Sequence, residues 1–225
     1  VLRNGNEGFT VSRGHAYRFE GRYVVEPDAS AASYYLTLPL VVGGELLLCD
    51  ARDAGKGLQG DTEFVNVLRD TGASITPSSA GLTVRFDPTQ PRRGLDRDFK
   101  PISDTFLTFA ALAPLLEGPT RITGIAHSRN QETDRVAGMA HELTKLGQHV
   151  IEEEDSLEIH PRPLVPGQTI ETYRDHRFAM SFGILGCHDF YRNGQPWLKI
   201  KDPSCCAKTF PNFFELLESI RRESH

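Results

Sequence analysis

The run Arg129-Asn130-Gln131-Glu132-Thr133-Asp134-Arg135 sets acids and cations at the mouth of a helix, because Val136, Met139, Ala140, Leu143 and Leu146 follow it at helical spacing. Thr133 and Asp134 are start signals, since an oxygen side chain there accepts from the free N–H groups of a first turn. Arg135 works against that start. A cation in the first turn opposes the helix dipole by roughly 0.3–1 kcal/mol, which leaves two readings: Arg135 pairs only with Asp134 or a neighbouring loop, or something negative is meant to sit there with it. Two more stretches repeat the arrangement. Asp175-His176-Arg177 precedes an apolar segment, and Lys208 stands just before Phe210-Pro211, with proline suited to a first helical position. Helix N-termini attract anions, and a guanidinium grips a carboxylate or phosphate with two parallel bonds. If the three starts face one another, they form a pocket for a small, multiply charged anion. Asp104, Glu132 and Asp175 would then lie beside cations, where protonation states are tuned for proton transfer. Each residue also has an ordinary reading: Asp104 and Asp175 as helix caps, His176 as a hydrogen-bonded histidine, Lys208 as a solvated lysine. His141, His149 and His160 lack ligand spacing, so no metal is assigned.

The elements that must position these residues recur in a fixed order. Phe9-Thr10-Val11, Tyr17-Arg18-Phe19 and Tyr23-Val24-Val25 read as extended runs, the first two split by Arg13-Gly14. Asp28 caps an apolar segment from Ala29 to Val42 that stops at Gly43-Gly44, with Pro39 implying a kink or early end. A strand from Glu45 to Cys49 follows, then a helix opened by Gly60-Asp61 and closed by Gly72, with Phe64, Val67 and Leu68 on one face. Ser74-Ile75 and Leu82 to Phe86 supply a hairpin. The order returns with Asp104 opening a helix that ends near Gly118, a strand from Thr120 to Ile125, the Glu132 helix ending at Gly147, and a hairpin of His149–Glu152 with Leu157–Ile159. A third copy starts at Asp175, continues through a strand from Trp197 to Ile200 and ends in a helix from Pro211 to Ile220 striped by Phe213, Leu216, Leu217 and Ile220. Spacings of 76 and 71 residues separate Asp28, Asp104 and Asp175. Repeats of this length imply an α/β chain of three similar units sharing one core, rather than a doubly wound sheet with a single switch point. Asp87–Lys100 and Pro161–Gln168 read as the joints.

Composition narrows the partner. The 225 residues suffice for one large domain or two small ones, and a net charge of −5 without a basic stripe argues against a nucleic-acid surface. No apolar run approaches the ~18 residues of a membrane span, and Val1-Leu2-Arg3-Asn4-Gly5-Asn6 has no signal-peptide core. The expectation is a soluble, cytoplasmic protein. Cys49, Cys187, Cys205 and Cys206 show neither Cys-x-x-Cys spacing nor disulfide-scaffold density, which fits reduced thiols, with Cys205-Cys206 as spare loop thiols.

Five motifs carry a resemblance. Glu26-Pro27-Asp28-Ala29-Ser30-Ala31-Ala32-Ser33-Tyr34, Gln59-Gly60-Asp61, Gln131-Glu132-Thr133-Asp134-Arg135, Asp175-His176-Arg177-Phe178-Ala179-Met180 and Lys208-Thr209-Phe210-Pro211 occur in the order and approximate spacing of the 5-enolpyruvylshikimate-3-phosphate synthase family. The resemblance covers nearly the whole chain but roughly the second half of the family's usual length. It implies an enolpyruvyl-transferase lobe of βαβαββ units with helices packed inside around a common core. Residues 1–23 would be the terminal strands of an otherwise absent N-terminal lobe, and 24–225 the C-terminal lobe, in units of about 24–88, 100–161 and 169–225. The implied reaction moves the enolpyruvyl group of phosphoenolpyruvate to the 5-hydroxyl of shikimate 3-phosphate, in chorismate and aromatic amino acid biosynthesis, with no cofactor.

By the same resemblance, Asp104 would bind shikimate 3-phosphate and take the hydroxyl proton. Glu132 would work on the enol methylene, assisted by Lys208, and Arg135, Arg177 and Lys208 would clamp phosphoenolpyruvate with His176 beside them. Gln131 and His127 would contact shikimate 3-phosphate, although the family more often has lysine and asparagine there, and Pro27 replaces a frequent glycine. The other lobe's lysine, arginine and serine-rich loop are not in this sequence. The expectation is therefore a fragment, inactive alone, whose partner is the missing lobe and whose exposed sheet edge leads to self-association. Two alternatives are a lobe of an enolpyruvyl transferase acting on a UDP-sugar, and a non-catalytic anion-binding module of the same fold.

Overall fold

A computed structural model describes residues 2–3, 5, 8–14, 18, 20–49, 51 and 57–223. At the start, β1 (Leu2–Arg3) pairs antiparallel with β2 (Phe9–Thr10). Tyr17 and Phe19 of the second expected strand lie outside the described residues. Tyr23-Val24-Val25 joins no ladder among the described residues and is 66–77% exposed, so its strand-forming residues have no apolar face to cover.

Three helices form the centre. They are α1 (Ala29–Val42), α3 (Phe106–Leu112) and α5 (His176–Leu185), which pack on one another with nearly every residue buried. Their sequences are apolar on all sides, the composition of a helix enclosed on all faces rather than lying on a surface. Burying each Leu or Phe contributes roughly 1.5–3 kcal/mol, and Phe106, Phe109, Phe178, Phe182 and Leu40 are all fully enclosed. The Ser33 and Thr108 hydroxyls meet at 3.1 Å between α1 and α3, and Tyr35 Oη donates to the Phe213 carbonyl at 2.9 Å. Asp28 caps α1 by accepting from Ala31 N. The helix runs through Pro39 to Val42, and Gly43 N then closes on the Pro39 carbonyl at 2.8 Å. Proline forfeits one donor, but this close to the end only three residues depend on the turn it weakens.

Around this core lie amphipathic helices and three sheets. In the first, β3 (Gly44–Cys49), β4 (Ser74–Pro77) and β5 (Gly81–Phe86) are ordered β3-β5-β4, all antiparallel, with α2 (Phe64–Thr71) placing Phe64, Val67 and Leu68 inward. The second is ordered β6-β7-β9-β8, from β6 (Asp96–Asp98), β7 (Thr120–Thr123), β8 (His149–Glu152) and β9 (Ser156–His160). Here β6 and β7 run parallel across α3, while α4 (Arg135–Lys145) lies against β8 and β9. The third is a parallel pair, β10 (Thr169–Ile170) and β11 (Lys199–Ile200), joined through α5 and followed by α6 (Phe213–Glu223).

Several boundaries differ from the sequence reading. β6 falls inside the stretch read as a joint, because its residues are Asp-Arg-Asp and only an edge position tolerates them. β11 is shorter than expected, and the buried Trp197 precedes it. Helix α6 begins two residues beyond Pro211; its stripe buries Phe213 while Leu216 stays exposed. Cys206 is a core residue rather than a loop thiol, its Sγ on the His176 carbonyl, and burial pushes its pKa up to about 12. No helix among the described residues is long and apolar enough to cross a membrane.

Candidate active site

The starts of α4 and α5 and the turn before α3 meet at one place. Asp134 caps α4, its carboxylate accepting from Ala137 N at 2.9 Å, so the helix start is built as the sequence implies. Arg135 takes no part in that cap. Its side chain is 4% exposed and turns to three other partners: Nε donates to Asp175 Oδ2 at 2.7 Å, Nη1 to Asp104 Oδ1 at 3.3 Å, and Nη1 also to Gln131 Oε1. Of the ordinary reading, pairing with Asp134 or a neighbouring loop, the first part does not hold, because Arg129 holds Asp134 at 3.1 Å, while Gln131 and Asp104 are partners from a neighbouring loop and turn.

Asp175 serves two purposes. It caps α5 by accepting from Arg177 N at 2.9 Å, and it receives the Arg135 guanidinium, all with no exposure to solvent. Asp104, for which a capping role was open, caps nothing. It lies in the 3-10 turn Lys100–Thr105, and its carboxylate bridges the two arginines, with Arg177 Nη2 at 2.8 Å on the oxygen that Arg135 does not use. Arg177 also reaches Tyr34 Oη at 3.5 Å, while its Nε is buried without a hydrogen-bond partner.

Beside this pair lies a second cluster. Lys208 Nζ donates to Glu132 Oε1 at 2.5 Å, and His176 Nδ1 stands 3.3 Å from Glu132 Oε2 without hydrogen-bond alignment. Arg135 Nη2 is 3.9 Å from the same Glu132, which joins the clusters. Lys208 does not open α6 as expected but ends the 3-10 helix Pro203–Lys208, from which it reaches across to the loop before α4. Partial burial works to raise the pKa of Glu132, yet the Lys208 hydrogen bond and the charges of His176, Lys208 and Arg135 outweigh it and hold the carboxyl below its ordinary value. Burial lowers His176, with Glu132 opposing and Arg177 adding to the shift, so the imidazole is the neutral form at neutral pH.

Arg135, Arg177 and Lys208 thus converge, as do Asp104, Glu132, Asp175 and His176. Three cations face three carboxylates. His127 does not join them: it is exposed on the 3-10 turn Ala126–Asn130 and bonds to none of the group. Sequence reasoning missed Arg129, which ties Asp134 to Glu152 at 2.8 Å and to the Glu153 and Glu154 carbonyls. It also gave no role to Tyr34, whose signals were its place at the end of the Glu26–Tyr34 motif and inside the capped α1. Donor atoms of Glu132, Asp175 and His176 lie within 4.8 Å of one another. Lys208 and Arg135 already hold two of these groups, so a metal ion would compete with both cations.

This geometry can hold a small anion between guanidinium and ammonium groups while a carboxylate on either side moves protons. The family model described as EPSP synthase (3-phosphoshikimate 1-carboxyvinyltransferase) matches residues 2–217. A 3-phosphoshikimate 1-carboxyvinyltransferase of Opitutus terrae is 60% identical over 208 residues, which cover 92% of this chain and 45% of that protein. Its counterpart in Cellvibrio japonicus is 39% identical, over 98% of this chain and 50% of its own length. A solved EPSP synthase of Acinetobacter baumannii superposes with a TM-score of 0.70 at 24% identity, covering 84% of this chain and 45% of that one. The chain spans about half the length of the curated relatives it matches.

Proposed function

The chain belongs to the EPSP synthase family, and from that premise we propose that it supplies the C-terminal wall of a cleft in which the enolpyruvyl group of phosphoenolpyruvate passes to the 5-hydroxyl of shikimate 3-phosphate. The observation that carries the reading is Asp104 bridging Arg135 and Arg177 with Glu132 and Lys208 alongside. Guanidinium forks match the carboxylate and phosphate of phosphoenolpyruvate. In the addition step the enol methylene gains a proton, the 5-hydroxyl oxygen attacks the adjacent carbon, and Asp104 takes the hydroxyl proton. In the elimination step the C–O bond to phosphate breaks as one proton leaves the new methyl group, restoring the methylene. Glu132, held ionised, accepts that proton, and the Lys208 ammonium 2.5 Å away donates the first one. Gln131 and His127 would line the shikimate 3-phosphate side, Gln131 through its bond to Arg135 and His127 by a side chain left free for a ligand.

In this reading residues 1–23 close the other lobe and 24–225 form this one, in units of about 24–88, 100–161 and 169–225. The partner is that other lobe, and the setting is cytoplasmic. The names carried by the 60% and 39% identical relatives favour this reaction over transfer to a UDP-sugar. The test adds the N-terminal half of the Opitutus terrae relative to this chain and measures phosphate released from the two substrates. Turnover that needs both halves, and that D104N lowers by roughly 100-fold or more, supports the proposal; phosphoenolpyruvate binding without turnover in the completed protein overturns it.

A further inference from the structure

Two turns inside α4 lies a buried carboxylate that this reaction does not use. Glu142 has no solvent exposure, and its oxygens accept from Tyr173 Oη at 2.8 Å, Glu171 N at 3.1 Å and Lys145 Nζ at 2.5 Å. Lys145 donates in addition to the Thr169 carbonyl at 2.7 Å. The last two turns of α4 therefore grip the segment from Thr169 to Tyr173 at three points, although 24 to 31 residues of chain separate the partners.

The backbone at the end of that segment is strained. Tyr173 and Arg174, neither of them glycine, stand consecutively in the left-handed region at φ 54° and 59°. L-residues avoid that conformation because Cβ crowds the next carbonyl, and it persists only where the surroundings over-determine it. Asp175 comes next, its N–H closing on the Thr172 carbonyl at 2.8 Å and its carboxylate on Arg135. The Tyr173 ring meets Phe178 edge-on at 5.1 Å, so the turn is fixed by a hydrogen bond at one end of the side chain and packing along the rest. Arg135 and Glu142 lie on one helix, about 10 Å apart along its axis at 1.5 Å per residue. The contacts from Glu142 through Tyr173 to Asp175 and on to Arg135 close a ring of which α4 is one side.

We infer that Glu142 is a positioning residue for the site: through Tyr173, Glu171 and Lys145 it holds the left-handed turn that sets Asp175 against Arg135. The inference rests on reading Arg135 as the anion clamp, but its consequence is internal to the chain. Without the anchor the turn relaxes, Asp175 withdraws, and the guanidinium loses the bond that fixes its plane.

The test follows the Arg135 Nε–H proton by NMR in this chain without substrate, with phosphoenolpyruvate titration as a second readout. Y173F removes only the hydroxyl, E142Q the charge, and K201A, which cuts an exposed ion pair to Glu171, is the control. The expected result is at least tenfold faster exchange of that proton and at least tenfold weaker phosphoenolpyruvate binding in Y173F and E142Q. K201A and the amide protection of β8 and β9 should stay unchanged. Unaltered exchange in folded Y173F overturns the inference. So does equal loss of protection throughout the chain, which marks Glu142 as a general stabiliser, and so does an Arg135 proton already unprotected in the parent. Changed exchange together with no turnover in the completed protein keeps the anchor and removes the reaction.

Discussion

At the scale of single residues, the site is an ion network whose members differ in what their loss exposes. Arg135→Ala leaves Asp175 charged and without solvent, and breaking a buried pair by removing one partner costs about 3–5 kcal/mol. For a chain of this size that lowers the melting temperature by roughly 6–12 °C or more, measurable by calorimetry. Asp104→Asn is different because its side chain is 36% exposed. Solvent screening keeps its contribution to stability under about 1 kcal/mol, whereas loss of a proton acceptor lowers turnover of the completed protein by roughly 100-fold or more. A variant that unfolds as readily as R135A would overturn that division. The pH dependence has a definite sign. The unfolded chain takes up a proton at His176 near 6.5, but the folded site resists it, so stability is full above 6.5 and falls as pH drops through the depressed value. Glu132 acts in the same direction lower down: its contribution is present above 4.5 and is lost as pH falls through its lowered folded value. The groups facing the pair are Lys208, Arg135, Arg177 and Asp175. H176Q should flatten the upper limb of a plot of melting temperature against pH and E132Q the lower one, and an unaltered profile in either refutes that assignment.

At the scale of elements, what could be read from the sequence divides according to range. Caps are local, so Asp28, Asp134 and Asp175 announce themselves, as do the apolar surfaces of α1, α3 and α5. Convergence is not local. Arg135 meets Asp104 and Asp175 across 31 and 40 residues, and the motif could say only that a cation sits where a helix start disfavours one. β6 was invisible because a charged edge strand has no alternating pattern, and Lys208 was misplaced because a 3-10 turn followed by a proline resembles the start of the next helix. Gly138 shows the packing that brings the elements together. A Cβ there would stand 2.6 Å from Phe178 Cζ and 3.3 Å from Tyr173 Cε2, so the missing side chain is what lets α4 lie against the start of α5. Gly138→Ala has no turn conformation to disturb and would raise helix propensity in isolation, yet overpacking at this contact should cost about 1–3 kcal/mol. A denaturant midpoint equal to or above that of the parent would show that α4 and α5 can separate without loss.

At the scale of the whole molecule, the three sheets around the core are unequal. The second has four strands, in which the parallel pair β6 and β7 is continued by β9 and β8, while the third has only the parallel pair β10 and β11. Among the described residues nothing pairs with the other edge of β11, and an unpaired edge is a template for another chain. Because the chain spans 45–50% of its relatives, the partner that would cover this edge and face the cluster can be the same body, the remaining half of a longer protein. Two measurements test this one cause. Alone, the chain should self-associate with rising concentration in sedimentation velocity, and it should bind phosphoenolpyruvate without measurable turnover, since each charge-stabilising group that the other half supplies would be worth about 3 kcal/mol in the transition state. With the other half added, association with itself should give way to a one-to-one complex, and turnover should appear at the same stoichiometry. A monodisperse monomer at high concentration would show that the edge is closed within this chain, and turnover that rises without a one-to-one complex would separate the covering of the edge from the completion of the site.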